Sequence, residues 1–310
     1  MAEGPALYDL HRFAGRPDDR SQFAADWNAI VTAAGLKDTL LRFVDTLHRL
    51  SGVPPQSLGL RRAVLLFGPP GCGKTSLARG LPYAWQRADP QRQAGFLHVN
   101  THALFSGMRG GGQKLILQLF QEIGEQASTG IPLFVLVDEV ETLGSNRGGI
   151  SLETNPLDAM YQVTAFLESL DMSVRDSPDV TFLFTTNIPR AIDRAVRERV
   201  DFSLEVPPPG PAEREEIMQA ALTALAAAYD VGSVRAAAKN QVRDWRWLIQ
   251  SSDGMSGRAI RHVFVLAATL AVNSAELTID HVAEALAAVT ATEAGLQHAG
   301  GMYLESFQGR

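Results

Sequence analysis

The chain has 310 residues, 45% of them hydrophobic and 20% charged, with a formal net charge of −6 and a single cysteine. That length suits about two domains of roughly 150 residues each, and the composition excludes a disordered chain. The acidic balance argues against charge-driven binding of nucleic acid, and one cysteine cannot form an internal disulfide, which fits a reducing cytoplasm.

In chain order, residues 1–20 are polar, carry Gly and Pro, and read as a flexible arm with no apolar core of a signal peptide. Ala63-Val64-Leu65-Leu66-Phe67, Leu133-Phe134-Val135-Leu136-Val137 and Val180-Thr181-Phe182-Leu183-Phe184 are apolar runs that predict strands buried on both faces. Segments 96–99 and 202–206 predict weaker strands, and helical patterns lie between at 76–81, 114–126 and 159–170. Strands alternating with helices predict an α/β domain over residues 21–210, a parallel sheet covered by helices. Pro207-Pro208-Pro209-Gly210-Pro211 then interrupts both kinds of element. Beyond it, Ala-rich patterns at 212–228, 245–251, 257–272 and 279–290 predict a small all-helical domain over 211–310. No apolar stretch approaches the ~20 residues that span a bilayer, so no membrane contact is expected.

Gly68-Pro69-Pro70-Gly71-Cys72-Gly73-Lys74-Thr75 fits G-x-x-x-x-G-K-[ST], between a buried strand and a helix that opens with Ser76. Small residues let successive N–H groups close around phosphates, and the helix N-terminus adds favourable partial charge. Lys74 is expected to neutralise the β- and γ-phosphates of ATP, and Thr75 to ligate Mg²⁺. Cys72 reads as a small loop residue that could make the site sensitive to thiol reagents. Asp138, ending the second buried strand, suits the ordering of Mg²⁺, and Glu139 suits a general base on the attacking water. Glu141 reads as a solvated helix residue. Asn187 ends the third strand, where an amide can hold the lytic water or the γ-phosphate. Arg197 and Arg199 are candidates for stabilising charge on the transferring group, often from a neighbouring subunit. Ser256 suits a helix cap, and Arg258 in that helix's first turn, unfavourable against the dipole, points to a compensating anion such as the nucleotide. His98 and His102 fall on a strand and its following loop, which argues against a metal site.

The motifs GPPGCGKT, LFVLVDE, TTN, DRAVRERVD and GMSGR together resemble the AAA+ ATPases, with their P-loop NTPase fold and helical lid. VLLFGPPGCGKTS, HVNTHALFS, FVLVDEVETL and NPLDAMYQVTAFLESLD narrow the resemblance to the pachytene-checkpoint family, which remodels HORMA-domain proteins. Trp27-Asn28-Ala29-Ile30-Val31 is similar to that family's segment beside the adenine.

The resemblance implies phosphate and Mg²⁺ binding by Gly73, Lys74 and Thr75, Mg²⁺ binding by Asp138, and water activation by Glu139. It makes Asn187 and Arg258 the two sensors, and Arg199 the arginine acting in trans, with Arg197 as runner-up. It also implies a hexameric ring that threads its client through a central pore. The first pore loop would be Gly107-Met108-Arg109-Gly110, where family members carry aromatic residues, and Arg147-Gly148-Gly149-Ile150 would be the second. Only about 20 residues precede the core, so client recognition is expected from the pore face or a partner. A compact member of this kind resembles the bacterial branch, associated with anti-phage systems containing a cyclic-oligonucleotide synthase. An unfoldase or activase for another client, and a nucleotide-switched loader on nucleic acid, are the alternative readings.

Overall fold

The computed structural model describes residues 6–13, 17–105, 111–142, 156–271 and 276–292. They divide into two compact units, Met1–Ile30 with Ala34–Pro207, and Val31–Ala33 with Pro208–Arg310.

In the first unit six strands make one sheet: β1 (Tyr8–Phe13), β2 (Ala63–Phe67), β3 (Ala94–Val99), β4 (Leu133–Val137), β5 (Val180–Thr186) and β6 (Phe202–Glu205). Their spatial order is β1-β3-β4-β5-β2-β6. The neighbours from β3 to β6 pair in parallel, with Val137 beside Phe184 and Phe67 beside both Thr186 and Glu205. Strand alternation sorts the apolar residues between two layers. Leu133, Val135 and Val137 enter one core with Phe182 and Phe184, while Phe134 and Leu136 enter the other with Val64, Leu66 and Leu183. Both layers are covered, which is why these strands are apolar at nearly every position.

The covering helices are α1 (Gln22–Ala29), α2 (Leu36–Arg49), α3 (Pro55–Leu58), α4 (Lys74–Ala88), α5 (Thr101–Phe105), α6 (Gly111–Ala127) and α7 (Pro156–Asp176), followed by a single turn, α8 (Arg194–Arg197). Trp27, Leu40, Leu77 and Leu81 place α1, α2 and α4 on one face. Ile116, Leu119, Phe166 and Leu170 place α6 and α7 on the other. The helix after β2 and the helices after β3 and β4 thus lie on opposite faces. Open α/β sheets bind ligands where the connections reverse in this way, at the carboxyl ends of the strands.

Within residues 1–20, read as a flexible arm, the segment 8–13 is instead part of the sheet. Tyr8–Phe13 is an antiparallel edge strand on β3, with Tyr8 opposite Val99 and Phe13 opposite Ala94. Asp9, His11 and Arg12 are exposed between half-buried Tyr8, Leu10 and Phe13, so the strand carries no apolar run. Tyr8 Oη donates to Glu122 on α6 at 3.0 Å, and the His11 and Phe13 rings pack edge-on against Phe23.

The start of β2 is held by a buried cation. Arg62 is fully buried and donates to the Leu47 and Leu50 carbonyls, both at 2.9 Å, where α2 ends. A cation there suits the helix C-terminus, and it adds a second donor to carbonyls that also accept from the Leu50 and Val53 N–H groups. Asp201, just before β6, accepts from the N–H groups of Arg61 at 2.8 Å and Ala63 at 3.1 Å.

The second unit holds α9 (Pro211–Leu225), α10 (Gly232–Lys239), α11 (Arg243–Ser251), α12 (Gly257–Leu270) and α13 (279–292). They close around Trp245, Ile217, Leu248, Phe264 and Leu286. Buried Arg214 donates to the carbonyls of Pro209 and Ile249, each at 3.1 Å, and to Asp253 at 2.7 Å. Pro209 is therefore tied to α9 of its own unit.

His48, on α2, packs against the Trp85 and Phe134 rings, with ring centroids at 4.7 and 5.2 Å. Burial, reinforced by the charges of Arg62 and Arg92 and opposed by Asp45, lowers its pKa from 6.5 to about 4. The unfolded chain takes up a proton here that the folded chain refuses, so stability should fall as pH drops from about 6.5 to about 4. Its share is at most ~1.4 kcal/mol per pH unit. Urea unfolding across that range should show the slope, and His48→Gln should reduce it by one proton's worth; an unchanged slope would assign the effect to other groups.

Candidate nucleotide site

The loop Gly68–Gly73 leaves β2 and turns directly into α4, whose first residue is Lys74. The turn is shaped by two glycines pressed against neighbouring chain. Gly68 has φ 144°, and a Cβ there would lie 2.3 Å from the Val206 carbonyl oxygen. Gly73 has φ 98°, and a Cβ there would lie 2.7 Å from Ile30 Cδ1. Any side chain at either position would meet occupied space in a strained backbone. Pro69 and Pro70 are exposed, and Gly71 and Ser76 are half-buried. Cys72 is buried; burial pushes its thiol above the usual value, against the opposing pull of Lys74. Both the burial and the raised pKa disfavour the reactive thiolate and fit the reading of Cys72 as a small loop residue.

Lys74 is 5% exposed, and its ammonium donates to the carbonyls of Gly68 at 2.9 Å and Pro69 at 2.7 Å. The loop thus encircles a cation at the N-terminus of a 15-residue helix, the arrangement that favours a phosphate. Beside it, Thr75 Oγ1 donates to Asp138 Oδ1 at 2.9 Å. Residues 63 positions apart in sequence thus meet as a hydroxyl and a carboxylate, both hard oxygen donors of the kind Mg²⁺ takes.

Asp138 is half-buried at the end of β4, and Glu139 is exposed with φ 53°. The left-handed region costs a non-glycine residue about 1 kcal/mol or more, so surrounding bonds must hold it there. Thr185, at the end of β5, provides them. Its Oγ1 donates to Asp138 Oδ1 and accepts from the Glu139 N–H at 3.1 Å, and its carbonyl accepts from the Val140 N–H at 2.9 Å. A cleft of about 390 Å³ opens in front of the two acids, lined also by Asp9, His98, Asn100 and Thr101. Burial holds the His98 imidazole below its usual pKa, with Asp138 pulling the other way.

Asn187 follows β5 and is half-buried, its N–H donating to Glu141 Oε1 at 3.1 Å. Glu141 is therefore not a solvated helix residue. It is half-buried and ties the segment after β4 to the segment after β5. Its even spacing from Glu139 in DEVE was the available signal, but nothing in sequence brings position 187 beside it.

Arg197 and Arg199 stand elsewhere. They precede β6, which runs parallel to β2, with Val64 beside Phe202. They therefore sit toward the amino-terminal end of β2, whereas the phosphate loop follows its carboxyl end. Five residues of strand, about 15 Å at roughly 3.3 Å per residue, separate the two edges. Arg199 pairs side-on with Asp171, Nε to Oδ1 at 3.0 Å and Nη2 to Oδ2 at 2.7 Å, while Nη1 donates to the Ala195 carbonyl at 2.9 Å. Arg61 reaches the same carboxylate at 3.5 Å. Arg197 is exposed.

In the second unit, Ser256 Oγ accepts from the Ala259 N–H at 3.2 Å and caps α12, with Arg258 exposed in its first turn. Val31 belongs to that unit and packs on its core, whereas Ile30 lies against Gly73 in the first. Met108 and Arg109, and the segment 147–150, lie outside the described residues.

The model of the family "ATPase family associated with various cellular activities (AAA)" matches residues 64–208. CD-NTase-associated protein 6 of Pseudomonas aeruginosa is 36% identical over 284 residues, which cover 89% of this chain and 91% of that protein. The pachytene checkpoint protein 2 homolog of Arabidopsis thaliana is 35% identical over 209 residues, 66% of this chain and 44% of its own length. The chain is an AAA+ ATPase of the pachytene-checkpoint family. Among solved structures, C. elegans PCH-2 superposes on this ATPase with a TM-score of 0.74 at 26% identity, over 95% of this chain and 78% of that one. A chain of the E. coli MS115-1 HORMA:CdnC:Trip13 complex gives a TM-score of 0.73 at 18% identity, over 92% of this chain and 97% of that one, a likeness of fold. The ATPase thus spans most of its Pseudomonas relative but less than half of its Arabidopsis one.

Glu141→Ala should leave the Asn187 N–H without its acceptor and destabilise the first unit by about 1–3 kcal/mol. Glu141→Gln keeps a carbonyl oxygen in place and should cost less. Urea unfolding of the two variants compares them directly, and equal stabilities would remove the contact from the account.

Proposed function

We propose that this ATPase works as a ring, most simply a hexamer, that hydrolyses Mg²⁺-ATP to disassemble or partly unfold a HORMA-domain protein in the cytoplasm. The observation that carries the ring is the separation of the arginines from their own phosphate loop by the length of β2. A cation at that edge serves phosphoryl transfer only on a neighbour's nucleotide. The client class is supported by its relatives: one is CD-NTase-associated, and another shares a complex with HORMA and CdnC. A link to a cyclic-oligonucleotide synthase would run through that client.

In this reading the N–H groups of Gly71, Gly73 and Lys74 and the Lys74 ammonium bind the β- and γ-phosphates. Thr75 and Asp138 would hold Mg²⁺, which supplies charge neutralisation at the phosphate oxygens. Glu139 takes a proton from water as the water oxygen bonds to the γ-phosphorus and the bond from that phosphorus to the bridging oxygen of ADP breaks. Asn187 orients the water or the γ-phosphate. Arg199 of the neighbouring subunit steadies the developing charge: three of its five N–H donors are taken by Asp171 and Ala195, leaving two. Arg197, exposed beside it, is the second candidate. Arg258 senses the nucleotide from the helical unit, and Met108 and Arg109 grip the client in the pore.

Glu139→Gln should cut turnover by ~10²-fold or more while ATP still binds. Arg199→Ala should lose ~10³-fold or more. Mixing it with Lys74→Ala protein should then recover part of the activity, because one mixed interface pairs an intact loop with an intact arginine. No recovery on mixing, with both variants assembled, would remove the trans assignment, and the same experiment with Arg197→Ala decides between the arginines. For the client, ATP-dependent release of a HORMA-domain protein from its bound peptide is expected, and inertness toward several such proteins would redirect the search.

A further inference from the structure

Thr185 is fully buried, yet its hydroxyl faces the two acids rather than the sheet core. The regular β4–β5 ladder ends with Val137 beside Phe184. Beyond that pair Glu139 takes φ 53°, and its N–H meets the Thr185 hydroxyl oxygen in place of a backbone carbonyl. The next N–H, of Val140, bonds to the Thr185 carbonyl. A hydroxyl has one proton to give and lone pairs to accept with. Here the proton goes to Asp138 Oδ1 and a lone pair takes the Glu139 N–H. One side chain therefore fixes the rotation of the Asp138 carboxylate and the backbone from which the Glu139 carboxylate projects. Asp138 Oδ1 also accepts from Thr75. If a bound cation drew the Thr75 oxygen away, Thr185 would remain as a hydroxyl donor on Asp138.

From this geometry we infer that Thr185 is a positioning residue for the acid pair: its hydroxyl, not its methyl, sets the metal-holding and water-activating carboxylates in their working orientation. The inference rests on the roles of Asp138 and Glu139 given under the proposed function. It follows that a side chain of the same shape without the hydroxyl loses function, and one with the hydroxyl but without the methyl keeps it.

The test compares Thr185→Val and Thr185→Ser in the full chain. Two quantities are read: steady-state ATP hydrolysis, and binding of Mn²⁺ in the presence of ADP followed by electron paramagnetic resonance, which needs no turnover. Thr185→Val should lower kcat and weaken Mn²⁺ binding, each by about 10- to 100-fold. KM for ATP should move by no more than about threefold, since the phosphate loop is untouched. Thr185→Ser should restore both quantities. Wild-type kcat and Mn²⁺ binding in Thr185→Val, or a serine variant as impaired as the valine one, would overturn the inference. If the valine variant fails to fold by circular dichroism, Thr185→Ala against Thr185→Ser poses the same question, and equal behaviour of that pair overturns it. Glu139→Gln run in parallel separates the two ideas: full turnover in it sinks the reading of Glu139, whereas the Mn²⁺ measurement still decides whether Thr185 holds Asp138.

Discussion

The arrangement depends on burying one ammonium group. Lys74 is almost fully enclosed, and an enclosed charge is costly unless it is hydrogen-bonded. The bonds come from the carbonyls of Gly68 and Pro69, six and five positions earlier, so the chain must curl back around the amine before helix α4 begins. That curl is possible only because Gly68 lies against the Val206 carbonyl and Gly73 against Ile30. The cradle is thus defined by elements far away in sequence, one at the exit of β6 and the other at the end of α1. Ile30 and Val206, which press on the phosphate loop, both belong to the first unit, just before the boundaries at 30–31 and 207–208.

The sheet distributes chemistry between its two edges. At the carboxyl edge, β2, β4 and β5 bring Lys74, Thr75, Asp138, Glu139 and Asn187 together, and side chains from one strand end hold the next: Thr75 and Thr185 on Asp138, Glu141 on Asn187. At the amino edge, Asp171 and Asp201 gather Arg61, Arg199 and the first residues of β2. A rigid parallel sheet between the edges fixes their separation. In the proposed ring, such a sheet would present its phosphate loop toward one neighbour and Arg199 toward the other. The Arg199–Asp171 pair is only about a fifth exposed on the arginine side, so the guanidinium is held in one orientation instead of sampling many.

Much of the first unit was legible because its strands are buried on both faces. Runs such as Leu133–Val137 leave no polar position to confuse the reading, and the loop after β2 must use glycine where its neighbours touch it. The family resemblance was legible for the same reason, since those motifs sit where geometry tolerates few substitutions. What was not legible depended on partners. Tyr8–Phe13 mixes exposed and half-buried side chains like a solvent-facing strand and becomes one only because β3 offers it an open edge. Helix α10 buries little besides Val234 and Ala238, too sparse a pattern to register. Glu141 and Thr185 looked ordinary because their roles arise from strand order, which places β5 beside β4 and cannot be read from either segment alone.

The most direct measurement is equilibrium binding of a fluorescently labelled ADP to the wild-type chain and to Lys74→Ala, with folding of both verified by circular dichroism. If the loop is a phosphate cradle built around its buried ammonium, wild-type binding is saturable and displaced by unlabelled ATP. The variant then binds about 10- to 100-fold more weakly, the worth of a charged hydrogen-bonding partner. Equal affinity in a folded Lys74→Ala protein would contradict the account at its centre.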